Sequence, residues 1–109
     1  MKRKKIGVLS SSRADYGIYT PLLDYWISQE WLKIERIIFG THMLLEMKSL
    51  LKQIKEDDFG TIRIVGDFKK TNSPKDVVKA YAGVVANFSS FWEHHRYDCL
   101  IALGDRFEM

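Results

Sequence analysis

Charged side chains stand directly after the first and the last apolar segments of the chain, where they can bind a phosphorylated ligand. Arg13 follows the first segment, and Asp105 and Arg106 follow the last. Two converging guanidinium groups suit a diphosphate, because each can form bidentate, charge-assisted hydrogen bonds. Asp105 can act as a general acid or base, or cap a helix that starts at Arg106. The residues alone favour a structural role equally. In that alternative, the two arginines form ion pairs with Asp15 and Asp105 that only hold the loops in place.

Histidine and cysteine add one further candidate and exclude two other kinds of site. His42 follows the second apolar segment and can reach the same region, although a single loop histidine is more often a surface residue. His94 and His95 are adjacent and lack a cysteine or carboxylate at metal-ligand spacing, so we expect no metal site. Cys99 is the only cysteine, which excludes an internal disulfide, and its apolar surroundings predict that it is buried.

Composition describes an ordinary globular chain of 109 residues with 46% hydrophobic residues. The net charge is +3, but four of the 17 basic residues lie at positions 2–5, and without them 13 basic residues face 14 acidic ones. No basic face is therefore expected, and nucleic acid is not an expected partner. No apolar run approaches the roughly 20 residues that span a bilayer, and the apolar run at 6–9 is too short for a signal peptide. We expect a cytoplasmic protein without membrane contact.

Apolar runs and helical periodicities alternate along the chain. The order strand–helix, repeated three times and followed by a strand, is typical of a parallel α/β sheet. The strands are apolar on both sides, which predicts helices on both faces. We therefore expect a Rossmann-like sheet with strand order 3-2-1-4. The predicted strands cover residues 5–10, 32–39, 61–65 and 97–103, and the predicted helices begin after 17, near 43 and at 74.

The helices differ in how clearly the sequence defines them. In the third helix, Ser73 is the predicted N-cap, Pro74 occupies the first helical position and Asp76 lies three residues after the cap. In the first helix, Pro21 is expected within the first turn, because a proline deeper inside would clash with a preceding carbonyl. The predicted core faces are Ile18, Leu22 and Trp26 in the first helix, Met43, Met47, Leu50 and Ile54 in the second, and Val77, Tyr81, Val84, Phe88 and Phe91 in the third.

The predicted strand order brings the loops after the first and fourth strands together. Open α/β sheets bind ligands at the carboxyl ends of the strands, where the strand order reverses. In the order 3-2-1-4 this crevice is flanked by residues 11–17 and 104–108. The chain has neither G-x-G-x-x-G after the first strand nor G-x-x-x-x-G-K-[ST], so a dinucleotide or P-loop site has no support. No cofactor is expected.

Three short motifs carry a resemblance to a known family. Ser-Ser-Arg-Ala-Asp-Tyr-Gly at 11–17, Phe-Gly-Thr-His-Met at 39–43 and Leu-Gly-Asp-Arg-Phe-Glu-Met at 103–109 follow three of the predicted strands. In this order they resemble the hydrolysing UDP-N-acetylglucosamine 2-epimerases of sialic-acid synthesis. The resemblance covers essentially the whole chain but only the start of a family member.

The resemblance implies a fold, a reaction and a set of site residues. Residues 1–109 would form a partial N-terminal Rossmann-like domain of a GT-B type fold, with the C-terminal domain absent. The reaction would be elimination of UDP from the sugar to give a 2-acetamidoglucal, followed by addition of water, without metal or nicotinamide. By motif position, Arg13 and Arg106 would contact the diphosphate and Asp105 would be the acidic catalytic residue. His42 would lie near the site, and Gly17 would fall where the loop approaches UDP.

Two alternatives stay open at this point. One is a related epimerase that acts on another nucleotide-linked acetamido sugar, such as a diacetamido sugar. The other is a small flavodoxin-like or receiver-like binding module that is complete at 109 residues. For the epimerase reading we expect a UDP-sugar as ligand, no activity of this chain by itself, and self-association through an exposed last strand.

Overall fold

The structure is a computed structural model that describes residues 3–44, 47–66, 68 and 72–103. Within these residues, strands and helices alternate as predicted, and a 3₁₀ turn at Gly40–Met43 follows the second strand. The second helix starts at Lys48 rather than near residue 43, because the chain first forms this turn. The elements are β1 (Lys4–Ser10), α1 (Arg13–Trp26), β2 (Leu32–Ile38), α2 (Lys48–Glu56), β3 (Thr61–Ile64), α3 (Pro74–His94) and β4 (Cys99–Ala102).

The four strands form one parallel sheet in the order β3-β2-β1-β4, which confirms the predicted Rossmann-like topology. At the carboxyl edge, Ser10 of β1 pairs with Ile38 of β2, and Leu9 pairs with Ala102 of β4. The strand order reverses between β1 and β4. The exits of β1, β2 and β4 therefore lie side by side, which is the arrangement that the candidate site requires.

Alternating residues of β2 divide the core between the two faces of the sheet. Ile34 and Ile38 belong to a cluster with residues of α1 and α2, whereas Ile37 belongs to a second cluster with Phe39 and with Val84 of α3. Successive side chains of a strand point to opposite faces, so α1 and α2 cover one face and α3 covers the other. This confirms the expectation of helices on both faces.

Helix α3 begins as the sequence predicts. The Ser73 side chain accepts a hydrogen bond of 3.2 Å from the backbone N–H of Asp76, and Pro74 is the first helical residue. The predicted core stripe is only partly buried: Val84 is buried and Phe88 and Phe91 pack against its cluster, but Tyr81 is half-exposed. Most of the outer length of α3 therefore remains open to solvent.

Helix α1 begins earlier than predicted, and Pro21 lies in its interior. The segment expected as a polar turn is helical from Arg13 onward, so Pro21 is the ninth residue of the helix rather than part of its first turn. Proline has no N–H, and the carbonyl four residues earlier, that of Gly17, loses its helical donor. The Thr20 hydroxyl replaces it with a hydrogen bond of 3.0 Å to the Gly17 oxygen. The helix tolerates the proline because a neighbouring side chain supplies the missing donor.

The buried face of α1 also differs from the prediction. Tyr16, Tyr19 and Leu23 are buried, whereas Ile18 and Leu22 are 59% and 43% exposed. Because the helix starts at Arg13, the tyrosine rings lie over the sheet and the aliphatic residues that the periodicity favoured face outward. The tyrosine hydroxyl groups form hydrogen bonds at the edges of the core, so the rings can take the place of aliphatic side chains there.

Strand β4 lies at an edge of the described sheet, as the expectation of an exposed last strand required, but the prediction that Cys99 is buried is wrong. Cys99 is exposed and Leu100 is 45% exposed. In the described sheet β4 has a neighbour only on its β1 side. An apolar run indicates a strand but not its place in the sheet, and an edge position leaves its side chains less covered.

Candidate functional site

The candidate site is built at the carboxyl edge of the sheet, where the chain passes from β1 into α1. Ser12 is the N-cap of α1, and its hydroxyl accepts a hydrogen bond of 3.3 Å from the Asp15 N–H. Asp15 in turn accepts from the Ser11 N–H at 3.2 Å and from the Ser11 hydroxyl at 3.0 Å. The pattern Ser-x-x-Asp is close to a capping box, except that the Asp15 side chain accepts from Ser11 rather than from the N-cap residue Ser12. It fixes the direction in which the loop enters the helix.

Asp15 is a buried carboxylate that holds this turn together. It is 8% exposed, and its carboxylate accepts hydrogen bonds from the N–H and the hydroxyl of Ser11. Among the described ion pairs there is none between Arg13 and Asp15. The alternative in which Asp15 merely neutralises Arg13 is therefore wrong, because Asp15 is used by the capping turn.

Arg13 is the first residue of α1 and lies exposed at the edge of the candidate site. No described residue forms a hydrogen bond or an ion pair with its guanidinium group. The first N–H groups of an α-helix have no acceptor within the helix, and together with an unpaired cation they favour an anionic ligand. Arg13 thus has the position and the freedom that a diphosphate contact requires.

His42 lies in the 3₁₀ turn after β2 and is buried, so the expectation of a surface histidine is wrong. Its Nε2 lies 2.8 Å from the Ser10 hydroxyl oxygen, and its backbone N–H donates to the Ser11 carbonyl at 3.2 Å. Its ring meets the Tyr16 ring edge-on with centroids 6.3 Å apart. The 3₁₀ turn after β2 brings His42 back over the end of β1, which joins two of the three predicted motifs.

Burial keeps the His42 imidazole neutral. It lowers the pKa of His42 from 6.5 to about 4, although the negative charge of Asp15 opposes this shift. The pair Ser10–His42 is not a serine-nucleophile arrangement, because no described group forms a hydrogen bond with Nδ1 and orients the ring as a base. The geometry instead suits a neutral imidazole that hydrogen-bonds a ligand.

Tyr19 connects α1 with the end of β4. Its hydroxyl donates a hydrogen bond of 3.4 Å to the Ile101 carbonyl. Burial, together with the Asp15 charge, raises the pKa of Tyr19 to about 12, so the phenol stays protonated near neutral pH. The contact draws the start of α1 toward the strand that precedes residues 104–108.

Of the three remaining candidate site residues, the structure describes only Gly17. Gly17 lies in the second turn of α1, is exposed and has open space where a Cβ would stand. Asp105 and Arg106 lie outside the described residues. Their approach to Arg13 consequently stays a prediction, based on the pairing of Leu9 with Ala102.

Sequence reasoning assigned no site role to Ser10 and Tyr19 and saw Asp15 only as an ion-pair partner. The Ser-x-x-Asp pattern at 12–15 was a readable signal for the cap. No local pattern reveals the Ser10–His42 contact, because 32 residues separate the two side chains. Such contacts follow from strand pairing rather than from spacing along the chain.

Two kinds of feature are absent from the part of the chain that the structure describes. No three His, Cys, Asp or Glu side chains are grouped so that they could hold a metal ion. None of the described helices has the length and apolar character needed to cross a bilayer.

Comparison with known proteins identifies two relatives, while no family model matches the chain. The chain is 27% identical over 106 residues to polysialic acid biosynthesis protein P7 of Escherichia coli, which covers 97% of this chain and 27% of that protein. It is 26% identical over 106 residues to the UDP-N,N'-diacetylbacillosamine 2-epimerase (hydrolyzing) of Legionella pneumophila, covering 97% of this chain and 28% of that protein. The chain thus spans little more than a quarter of the length of these curated relatives. They confirm the resemblance to hydrolysing 2-epimerases.

Proposed function

We propose that this chain is the amino-terminal part of a hydrolysing UDP-N-acetylglucosamine 2-epimerase. It would form part of the first of two Rossmann-like domains of a GT-B type fold, with the second domain in the rest of a longer, cytoplasmic polypeptide. Two relatives match nearly the whole chain while the chain matches only 27% and 28% of their lengths, which supports this reading. The overall reaction would convert UDP-N-acetylglucosamine and water to N-acetylmannosamine and UDP.

The observation that carries the proposal is the common edge formed by the ends of β1, β2 and β4. Arg13, at the start of α1, has no hydrogen-bond or ion-pair partner among the described residues, and His42 lies against the last residue of β1. Leu9 pairs with Ala102, so the segment containing Asp105 and Arg106 follows the strand next to β1. In the proposed complex Arg13 and Arg106 bind the diphosphate, and Gly17 leaves room for the nucleotide.

The proposed chemistry is an elimination followed by a hydration. In the first step a base removes the proton from C2 of the sugar, the C1–O bond breaks and UDP leaves with the bonding electrons. In the second step water adds across the resulting double bond, with hydroxyl at C1 and a proton at C2. Asp105 is assigned an acid–base role in these proton transfers, and the two arginines stabilise the charge of the departing diphosphate.

A second candidate substrate is a UDP-linked diacetamido sugar. The observation that favours it is the relative from Legionella pneumophila, whose name specifies UDP-N,N'-diacetylbacillosamine. Both substrates share the UDP group and the elimination chemistry. Competition between the two UDP-sugars for the longer polypeptide distinguishes them, because only the correct sugar is consumed with release of UDP.

Titration calorimetry of this chain with UDP, GDP and inorganic phosphate tests the nucleotide part of the proposal. We expect weak binding of UDP that exceeds binding of GDP and phosphate, since the chain carries only part of the site. Arg13→Gln should weaken UDP binding by about tenfold, whereas Arg96→Gln, at the opposite edge of the sheet, should leave it unchanged. Equal binding of all three ligands would favour the small binding module instead.

An activity assay of the purified chain tests whether the reaction needs the proposed second domain. We expect no release of UDP from UDP-N-acetylglucosamine by the purified chain, because the proposed cleft needs both domains. Turnover near that of a full-length relative would contradict this assignment.

A further inference from the structure

The Ser10–His42 contact leaves one polar atom of the imidazole unused. Ser10 and His42 are each 1% exposed, and their hydrogen bond joins the Ser10 hydroxyl to Nε2. Nδ1 of His42 is buried and has no hydrogen-bond partner among the described residues. Buried polar atoms without a partner are uncommon in folded proteins and call for an explanation.

The tautomer of His42 follows from counting the donors at this contact. A neutral imidazole carries one N–H and one acceptor nitrogen. If Ser10 accepted from Nε2–H, both the Ser10 proton and Nδ1 would lack partners among the described groups. If Ser10 donates to Nε2, only the Nδ1–H lacks one. The second arrangement leaves fewer unsatisfied groups and is therefore favoured.

We propose that Ser10 is a positioning residue that donates to Nε2 of His42 and thereby presents the Nδ1–H to an oxygen atom of the bound nucleotide sugar. This inference rests on the proposed function for the identity of the ligand. The backbone contact of His42 with Ser11 and the edge-on Tyr16 ring hold the imidazole in place while Ser10 sets its proton. Nδ1 is enclosed, so a ligand reaches it only when the surrounding groups rearrange. The NMR signal of Nδ1 should report on this rearrangement.

Long-range ¹H–¹⁵N NMR spectra of the chain at pH 7 test the tautomer directly. We expect the Nδ1–H form for His42, and a change of the Nδ1 signal on addition of UDP. In Ser10→Ala the population should move toward Nε2–H, and Ser10→Thr should restore the Nδ1–H form. His94 and His95 serve as internal controls, since their spectra should not respond. The Nε2–H form in the unsubstituted chain would overturn the proposal without the use of any variant.

Affinity for UDP provides the second readout. Ser10→Ala should weaken UDP binding about tenfold, Ser10→Thr should recover most of it, and Ser89→Ala on the exposed side of α3 should have no effect. An unchanged tautomer in a folded Ser10→Ala chain would overturn the role of Ser10, even if UDP still binds. If UDP does not bind the unsubstituted chain, the proposed function fails for this part, and with it the ligand assigned to Nδ1.

Discussion

The hydroxyl of Tyr97 donates a hydrogen bond of 2.7 Å to Oε1 of Glu35, which joins the segment before β4 to a carboxylate buried in the middle of β2. Arg63 donates to the same oxygen at 3.2 Å, and the Lys5 ammonium lies 3.5 Å from Oε2. Burial by itself raises the pKa of Glu35, but the hydrogen bonds from Tyr97 and Arg63 and the charge of Lys5 outweigh it and lower the pKa.

The lowered pKa of Glu35 predicts a loss of stability in acid. Its contribution is present above the pKa of an unfolded glutamate, about 4.3, and disappears as the pH falls through the lower pKa of the folded state. Urea unfolding between pH 6 and pH 3 should show this decrease. Glu35→Gln should flatten the curve, whereas Glu93→Gln, on an exposed turn of α3, should not. At pH 7, Tyr97→Phe should cost about 1–3 kcal/mol, because it leaves a buried carboxylate oxygen short of a donor.

Arg36 should be among the most costly residues to replace. Its guanidinium group is buried and donates to the Tyr16 hydroxyl and to the carbonyls of Ile54, Asp57 and Gly60 at 2.8–3.1 Å. Arg36→Met should lower the free energy of unfolding by roughly 3–5 kcal/mol, because several buried acceptors lose their donor together.

A matched control for Arg36 lies on the same strand. Lys33→Met removes an exposed cation from β2 and should change stability by less than about 0.5 kcal/mol. Chemical denaturation of both variants gives the comparison. Similar small losses for the two variants would show that Arg36 does not organise the end of α2.

The buried, neutral His42 ring should lower the free energy of unfolding as the pH falls from 6.5 to about 4. Its pKa falls from 6.5 to about 4 on burial, so the unfolded state binds a proton in this range and the folded state does not. The free energy of unfolding should therefore decrease by about 3 kcal/mol as the pH falls across this window, above the range in which Glu35 acts. His42→Gln should remove this slope, and His94→Gln should retain it. A His42 signal that titrates between pH 6 and 7 would contradict the prediction.

Gly17 and Gly83 allow stability and binding to be separated. Both lie inside helices, and neither has an atom within 4 Å of the position of an added Cβ. Replacement of either by alanine should stabilise the fold by about 0.5–1 kcal/mol, because glycine loses more backbone entropy in a helix. Only Gly17→Ala should also weaken UDP binding, if the nucleotide passes over α1 as proposed. Equal UDP affinity in the two variants would remove Gly17 from the site.

The β4 edge should make the isolated chain self-associate. Leu100 is 45% exposed beside strand groups that have no neighbour in the described sheet, and such edges pair with other chains. Sedimentation should show a dimer, and Leu100→Lys should shift it toward monomer. Leu22→Lys, at a similarly exposed position on α1, should leave the dimer intact. A monomer at all concentrations would contradict the prediction.

Local signals predicted the elements and their order well. Ser73, Pro74 and Asp76 define the start of α3 through contacts three residues apart. The alternation of strands and helices indicated a parallel sheet, and the Rossmann-like order assumed for it is the one observed. What the sequence did not reveal depends on contacts between distant residues. Pro21 is tolerated because the Thr20 hydroxyl donates to the Gly17 carbonyl. The general rule that proline is unfavourable inside a helix does not take such a side-chain contact into account.

The site shows the same division between local and distant contacts. Arg13 was correctly placed after β1 by the motif that contains it, but the burial of His42 was missed, because its contact with Ser10 joins the turn after β2 to the end of β1. Glu35 and Arg36 interrupt an apolar strand and were not assigned a role, because their partners come from β1, α1, α2, β3 and the segments before β3 and β4. Cys99 was expected inside the core, since an apolar run does not indicate whether its strand has one neighbour or two.

The proline inside α1 has a consequence for amide exchange. Pro21 contributes no exchangeable amide. The Gly17 carbonyl accepts a hydrogen bond from the Thr20 hydroxyl in place of a main-chain N–H. Protection from solvent deuterium should therefore be discontinuous along the helix, with a labile amino-terminal portion that carries Arg13 and Gly17 and a slower portion anchored by Leu23. Thr20→Val would widen that difference, so that the amino-terminal end opens while the remainder of the helix stays closed.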